Sequence, residues 1–355
     1  MTEIEINDVW VYSDKTMTDI EGTRVNFTDG SWCDVETKEV VNKGGGYINI
    51  GNPPKENSPN EILTKTFLPL PVLLIEEIAA DVEVTVGEAT EIKVTITGPK
   101  DMLEKLDIFD ANSGVAIINK KIIKGPIRNV SAIENSPSIM KGCFCISDSS
   151  ISIKSNQNNV QISAQVPVNT TVAINQVMGT IKVGDILGDL TISSEDDNRI
   201  SIGKVNGCHL QISGDTDITI AKLNDYLNAN ISGDGALVVK EGNIDKIDLT
   251  LSGDGDVFFK GAANFCEIKN SSDADITIKE INGELKIGNA GDGDILIKKA
   301  IITMLEIRNA GDGDVDIQGE VNFAHLNNLG DGDIMIDRVH NIEARNNLGD
   351  GKIRI

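Results

Sequence analysis

Aromatic side chains are scarce. The 355 residues hold two Trp, three Tyr and eight Phe, 4% of the chain. Carbohydrate sites use flat rings as stacking surfaces, so a carbohydrate-binding or carbohydrate-active protein stands only as an alternative. Three histidines leave little material for proton-transfer chemistry near neutral pH. Five cysteines at irregular spacing make no disulfide framework, and a reducing cytoplasm is the expected compartment. No N-terminal stretch joins a basic region to an apolar run, as a secretory signal does. The most apolar segment, Phe67 to Ile75, is nine residues with two prolines. A membrane span needs about 20 apolar residues. Positive charge is also short, with 32 Lys and Arg against 55 Asp and Glu, for a net −23. So acidic a chain repels phosphate backbones and anionic lipid, which makes nucleic acid and bare membrane poor partners and cations or basic proteins better ones.

Glycine, by contrast, is plentiful, and its placement is periodic. Gly-Asp-Gly recurs at 233–235, 253–255, 291–293, 311–313, 330–332 and 349–351, with weaker copies at Gly214-Asp215-Thr216 and Ser272-Asp273-Ala274. The central aspartates are Asp215, Asp234, Asp254, Asp273, Asp292, Asp312, Asp331 and Asp350, spaced by 19 or 20 residues. A period of this length marks a stacked repeat architecture. Three residues after the aspartate come Ile218, Leu237, Val257, Ile276, Ile295, Val315, Ile334 and Ile353. Five after it come Ile220, Val239, Phe259, Ile278, Ile297, Ile317, Ile336 and Ile355. This alternation predicts a strand after each turn with both positions inward. Five residues before the aspartate, Leu210, Ala229, Leu249, Ile268, Ile287, Ile307 and Leu326 predict a second strand. Between the two, Leu223, Ile281, Ile301, Val321 and Val339 are expected to fill a corner. Asn270, Asn289, Asn309, Asn328 and Asn347 recur three residues before the aspartate, where stacked amides form a ladder.

The predicted fold is all-β: a parallel β-helix, or β-solenoid, with coils of about 19–20 residues, each unable to fold alone. It occupies residues 62–355, behind a linker at 53–61 and a small β-hairpin module at 1–52 that carries Trp10, Tyr12, Phe27, Trp32 and Tyr47. Strands are expected at Val82–Val86 and Ile92–Ile96, a helical turn over Pro99 to Leu106, and degenerate coils back through Ile151-Ser152-Ile153. The units Leu251-Ser-Gly-Asp-Gly-Asp-Val257, Asn289-Ala-Gly-Asp-Gly-Asp-Ile295 and Asn309-Ala-Gly-Asp-Gly-Asp-Val315, after an opening strand pair and a short helical turn, resemble the head GIN domain family of auto-transporter adhesin-like proteins. The resemblance covers about residues 62–355. It implies a β-solenoid with an adhesive role and brings no catalytic residues; such relatives are often exported.

Two surface features are candidates for function. Asp254, Asp273, Asp292, Asp312 and Asp331 lie beside a second column, Asp256, Asp275, Asp294, Asp314 and Asp333. Stacked carboxylates repel, and either backbone N–H bonds within Asx-turns or Ca²⁺ would offset this; calcium is the one candidate cofactor. The outward column four residues after each aspartate reads Thr219, Val238, Phe258, Thr277, Leu296, Asp316, Met335, Arg354. Its counterpart on the second strand reads His209, Asn228, Asp248, Glu267, Lys286, Glu306, His325, all polar. Val238, Phe258, Leu296 and Met335 are therefore the expected contacts for a protein partner or for self-association. The last strand, edged by Lys352 and Arg354, is a second route to assembly or a charged guard against it. His209 and His325 lie six coils apart and cannot share a metal, Cys208 and Cys266 are core residues three coils apart, and Cys143 and Cys145 form a lone C-x-C. The functional expectation is a non-catalytic scaffold, with a calcium-binding surface protein and a carbohydrate-directed solenoid as alternatives.

Overall fold

The computed structural model describes residues 2–6, 9–13, 15–41, 43, 48–51, 59–111, 114–120 and 160–355. Ile151-Ser152-Ile153, Cys143, Cys145 and Tyr47 lie outside them. The chain divides into two compact units, Met1–Pro59 and Asn60–Ile355.

The first unit is two small antiparallel sheets. Thr2–Ile6, Val9–Ser13 and Ile48–Gly51 form one; Met17–Glu21, Arg24–Phe27, Trp32–Asp34 and Val40–Val41 form the other. Alternating apolar residues place Val11, Val25, Phe27, Cys33 and Val35 in a shared core. Trp32 lies on the outer side, with the Arg24 guanidinium 3.8 Å from its ring centre.

The second unit is a β-solenoid of about ten turns. Its opening is a mixed sheet. Asn60–Phe67 runs antiparallel to Ile92–Pro99, which runs antiparallel to Gln161–Val166, while Asp81–Val86 pairs in parallel with Gln161–Val166 and Ile181–Val183. A helical turn, Lys100–Leu103, buries Leu103 against this start. From Ile181 onward every pairing is parallel, and apart from local one-residue slips each paired residue sits over its counterpart one coil back. The inward columns are buried as the alternation predicts, from Ile218 to Ile353 and from Leu210 to Leu326. The predicted Ile355 is the exception at 44% exposed.

The corners differ from expectation. Most coils are one continuous strand, such as Val257–Asn270 or Ile295–Asn309, running from one glycine turn to the next, whereas the coil of Leu237–Val239 and Asn243–Leu251 is split at its corner. Ladder hydrogen bonds persist round the corner because the register slips there, as between Ile297 and Ala300. That slip explains a second correction. Ile301 does not fill the corner but is 59% exposed, while its neighbours Ala300 and Ile302 are buried. Ile302, not Ile301, pairs with the corner residue Val321. Bulges of this kind re-aim side chains without breaking a sheet.

The glycine turns also work differently from ordinary tight turns. None of the Gly-Asp-Gly glycines has a positive φ. A Cβ on Gly311 would instead sit 1.9 Å from the Gly291 carbonyl oxygen one coil back, and one on Gly291 would sit 2.0 Å from Ser272 O. Glycine is needed because successive turns stack backbone on backbone.

Candidate contact surface

The aspartates are held by backbone. Asp215, Asp234 and Asp254 each accept, on Oδ1, the N–H of the equivalent aspartate on the next coil at 3.1–3.3 Å. The second column does the same: Asp275 N–H donates to Asp256, Asp294 to Asp275, Asp314 to Asp294 and Asp333 to Asp314, at 3.1, 2.9, 2.8 and 2.7 Å, and Lys352 N–H closes the series on Asp333. The bond runs between coils rather than within a turn, so each carboxylate ties one coil to the next. One oxygen of each of these aspartates is thereby committed to an N–H donor, which offsets the repulsion along the second column and at the start of the first. Among the described residues no three His, Cys, Asp or Glu side chains converge as the ligands of an ion would.

The asparagines staple turns more than they form a ladder. Nδ2 of Asn270, Asn289, Asn309, Asn328 and Asn347 donates to the carbonyl four residues on, at 2.8–3.4 Å, bracing the Gly-Asp-Gly loop from inside. Only Asn289 to Asn309, at 3.1 Å, is an amide-to-amide rung. The carbonyl oxygens of the turn outcompete the neighbouring amides because each asparagine reaches them within its own coil.

Val238, Phe258, Leu296 and Met335 fall in one outward column, as the sequence predicts. The register runs Val238, Phe258, Thr277, Leu296, Asp316, Met335, one residue per coil. Each is half-buried, shielded by its stacked neighbours and open on the outer side. The four therefore form an apolar ridge interrupted at Thr277 and Asp316.

A second apolar surface escaped the sequence reading, which took the outer face of the second strand as polar throughout. Two positions further from the turn, that face carries Tyr226, Phe265, Met304 and Phe323. Met304 pairs directly with Phe323; they are 37% and 42% exposed, and Ile301 lies beside them at the corner. Lys246 and Lys286 reach over the Phe265 ring, 5.6 and 6.0 Å from its centre. The signal was present: the coil position eight before the aspartates gives these four residues, interspersed with Lys246 and Glu284.

Little else gathers chemistry. A shallow depression of about 320 Å³ on the first-strand face is lined by Glu83, Lys182, Gly184, Gly203, Ala221 and Lys240, where small residues replace the larger ones downstream. Tyr226 packs over Gly207, leaving no space for a Cβ there. Burial, then the Asp189 carboxylate, pushes its phenol up to about 12. Burial lowers the His209 imidazole. Burial likewise pushes the Cys208 and Cys266 thiols well above their ordinary range, and both are free cysteines in the core. His325 contacts Glu343 across one coil boundary, far from His209. At the last coil, Arg345 stands in the column otherwise filled by Leu326 and its predecessors, and donates to the Ile353 carbonyl at 2.6 Å. Arg354 pairs with Asp333 at 3.0 Å. Among the described residues no helix is long and apolar enough to cross a membrane.

No family model and no curated protein matches the chain. Several solved structures do. A protein from Parabacteroides distasonis named a "putative lipid binding protein" is 12% identical, with 84% of this chain and 98% of that chain covered and a TM-score of 0.44. A "putative adhesin" from Parabacteroides merdae is 12% identical over 83% of this chain and 96% of its own, with a TM-score of 0.38. A "putative adhesin" from Parabacteroides distasonis is 14% identical over 84% and 97%, with a TM-score of 0.36.

Proposed function

We propose that this chain is a non-catalytic, adhesin-like scaffold that makes protein contact through the outer face of its first strands. The observation that carries this reading is the ridge of Val238, Phe258, Leu296 and Met335. The inward half of each strand already fills the core, so these side chains add little to the packing of the solenoid. They are presented on a hydrogen-bonded parallel sheet, which loses little conformational freedom when a partner docks. Apolar surface aligned over neighbouring coils of a repeat protein is the usual form of an extended binding face. The resemblance of residues 62–355 to head GIN domains supports the same reading. The test is the double substitution Phe258→Asp with Leu296→Asp. Since neither side chain is in the core, the unfolding midpoint should hold while association, followed by light scattering, is lost. Unchanged association would remove this face from consideration.

A further inference from the structure

The ridge has flanks, and they are of opposite charge. Three successive coils carry the same outward triplet: Asp256, Phe258, Lys260; Asp275, Thr277, Lys279; Asp294, Leu296, Lys298. The intervening residues Val257, Phe259, Ile276, Ile278, Ile295 and Ile297 are buried, so each triplet lies on the outer side of its strand. Register stacks the triplets: Val257 over Ile276 over Ile295, Phe259 over Ile278 over Ile297. The result is three parallel columns, acid, middle and lysine. Lys260, Lys279 and Lys298 are exposed, and among the described residues none of them forms a close ion pair, in contrast to Lys299, which meets Glu280 at 2.8 Å; Lys279 only helps, from further off, to lower the Glu280 carboxyl. A single file of exposed lysines without close ion pairs is unexpected on a protein of net charge −23. Asp256, Asp275 and Asp294 each give one oxygen to a backbone N–H, leaving the second for an outside donor.

Such a face can meet its own copy in two symmetric ways. A two-fold axis perpendicular to the stack, lying in the interface, sets lysine on lysine and aspartate on aspartate. A two-fold parallel to the stack exchanges left and right, and every lysine column meets an aspartate column while ridge meets ridge. In the second arrangement coil heights are unchanged, so Asp256 of one copy faces Lys260 of the other, Asp275 faces Lys279 and Asp294 faces Lys298, each pair formed twice. The complementarity ends where the triplet ends, with Asp314 opposite Gln318 and Asp333 opposite Asp337.

Resting on the contact-surface reading above, we infer that the occupant of this face is a second copy of the chain, in a homodimer whose two-fold axis runs parallel to the solenoid axis. Three coils span about 14 Å along the stack and the triplet about 13 Å across it. That is well under the roughly 800 Å² per partner of a standard interface, so the dimer is weak, with a dissociation constant in the micromolar range or above. Isologous contact requires a self-complementary patch, and the columns supply one.

Sedimentation of the full chain over a dilution series, at about 50 mM and about 500 mM salt, tests this. Wild type should dimerise with an affinity that falls roughly tenfold or more at the higher salt, because exposed ion pairs are screened. Lys260→Glu, Lys279→Glu and Lys298→Glu together should leave a folded monomer. Asp256→Asn, Asp275→Asn and Asp294→Asn keep the oxygen that ties the coils, and should weaken the dimer by about tenfold or more. A wild type that stays monomeric overturns the inference and leaves the face to a different protein. A dimer lost in Phe258→Asp/Leu296→Asp but kept in the lysine variant overturns the geometry alone. A dimer kept in all three variants overturns both the inference and the contact-surface reading.

Discussion

Replacing Gly311 with Ala should cost far more than its surface position suggests. The added methyl would lie 1.9 Å from the Gly291 oxygen and 2.8 Å from its carbon, about 1.5 Å inside ordinary contact. Both are backbone atoms and cannot turn aside. Relief requires the two coils to part, and the bonds Ala310 N–H to Asn289 O at 2.7 Å and Gly313 N–H to Gly291 O at 3.5 Å run across that gap. Overpacking of this kind costs about 1–3 kcal/mol, and each weakened backbone bond about 1 more. A loss of about 3–5 kcal/mol follows, or roughly 6–10 °C in Tm for a unit of this size. Gly288→Ala is the control. Its Cβ meets nothing nearer than Ile268 O at 3.9 Å, and the stiffer unfolded chain should gain about 0.4–1 kcal/mol. Urea and thermal melts followed by far-ultraviolet circular dichroism would measure both. If the two variants fell within about 1 kcal/mol of each other, close backbone stacking would not be why these turns are glycine.

Further outcomes follow from the same geometry. Asn309→Ala removes a fully buried amide that braces Gly313 O at 3.1 Å and accepts from Asn289, so it should lower stability by about 2–4 kcal/mol in the same melts. The Tyr226 phenol is pushed up to about 12, so the folded state holds a proton that the unfolded chain loses from pH about 10. Its contribution is complete below that value and is lost as pH rises toward 12; Tyr226→Phe should flatten this part of the stability profile. Burial lowers the His209 pKa, so the reverse sign holds: acidification below about 6.5 protonates the unfolded chain first and lowers stability, and His209→Gln should weaken that dependence. Millimolar Ca²⁺ should shift the melting midpoint no more than Mg²⁺ does, because Asp256, Asp275, Asp294, Asp314 and Asp333 already serve backbone donors and no three ligand side chains converge among the described residues. A calcium-specific rise of several degrees would contradict that account.

Much of the solenoid was legible because its period is short and its alternation strict. Apolar residues three and five residues after each aspartate can only be a half-buried strand, and eight aspartates in register can only be stacked turns. What the sequence concealed were relations between coils. Glycine in Gly-Asp-Gly looks like turn chemistry, yet its cause is the coil beneath. The asparagine column looks like a ladder, yet the nearer carbonyl of the same turn captures each amide. Ile301 matches the corner pattern by count, but the 20-residue coil adds its extra residue just there and turns the side chain outward. The contact candidates fared similarly. The ridge of Val238, Phe258, Leu296 and Met335 was visible as a column, whereas Phe265, Met304 and Phe323 were missed because the second strand was followed only to its nearest outward position. The opening of the solenoid is the least periodic part, and its antiparallel pairing of Ile92–Pro99 with Gln161–Val166 joins segments too distant for any local pattern to reveal.

Two apolar surfaces thus compete for the role of contact face, and hydroxyl-radical footprinting at low and high protein concentration separates them. The account predicts that Phe258, Leu296 and Met335 lose reactivity as concentration rises while Met304 and Phe323 label alike throughout. Protection of Met304 and Phe323 with Phe258 and Leu296 unchanged would contradict it and move the contact to the corner.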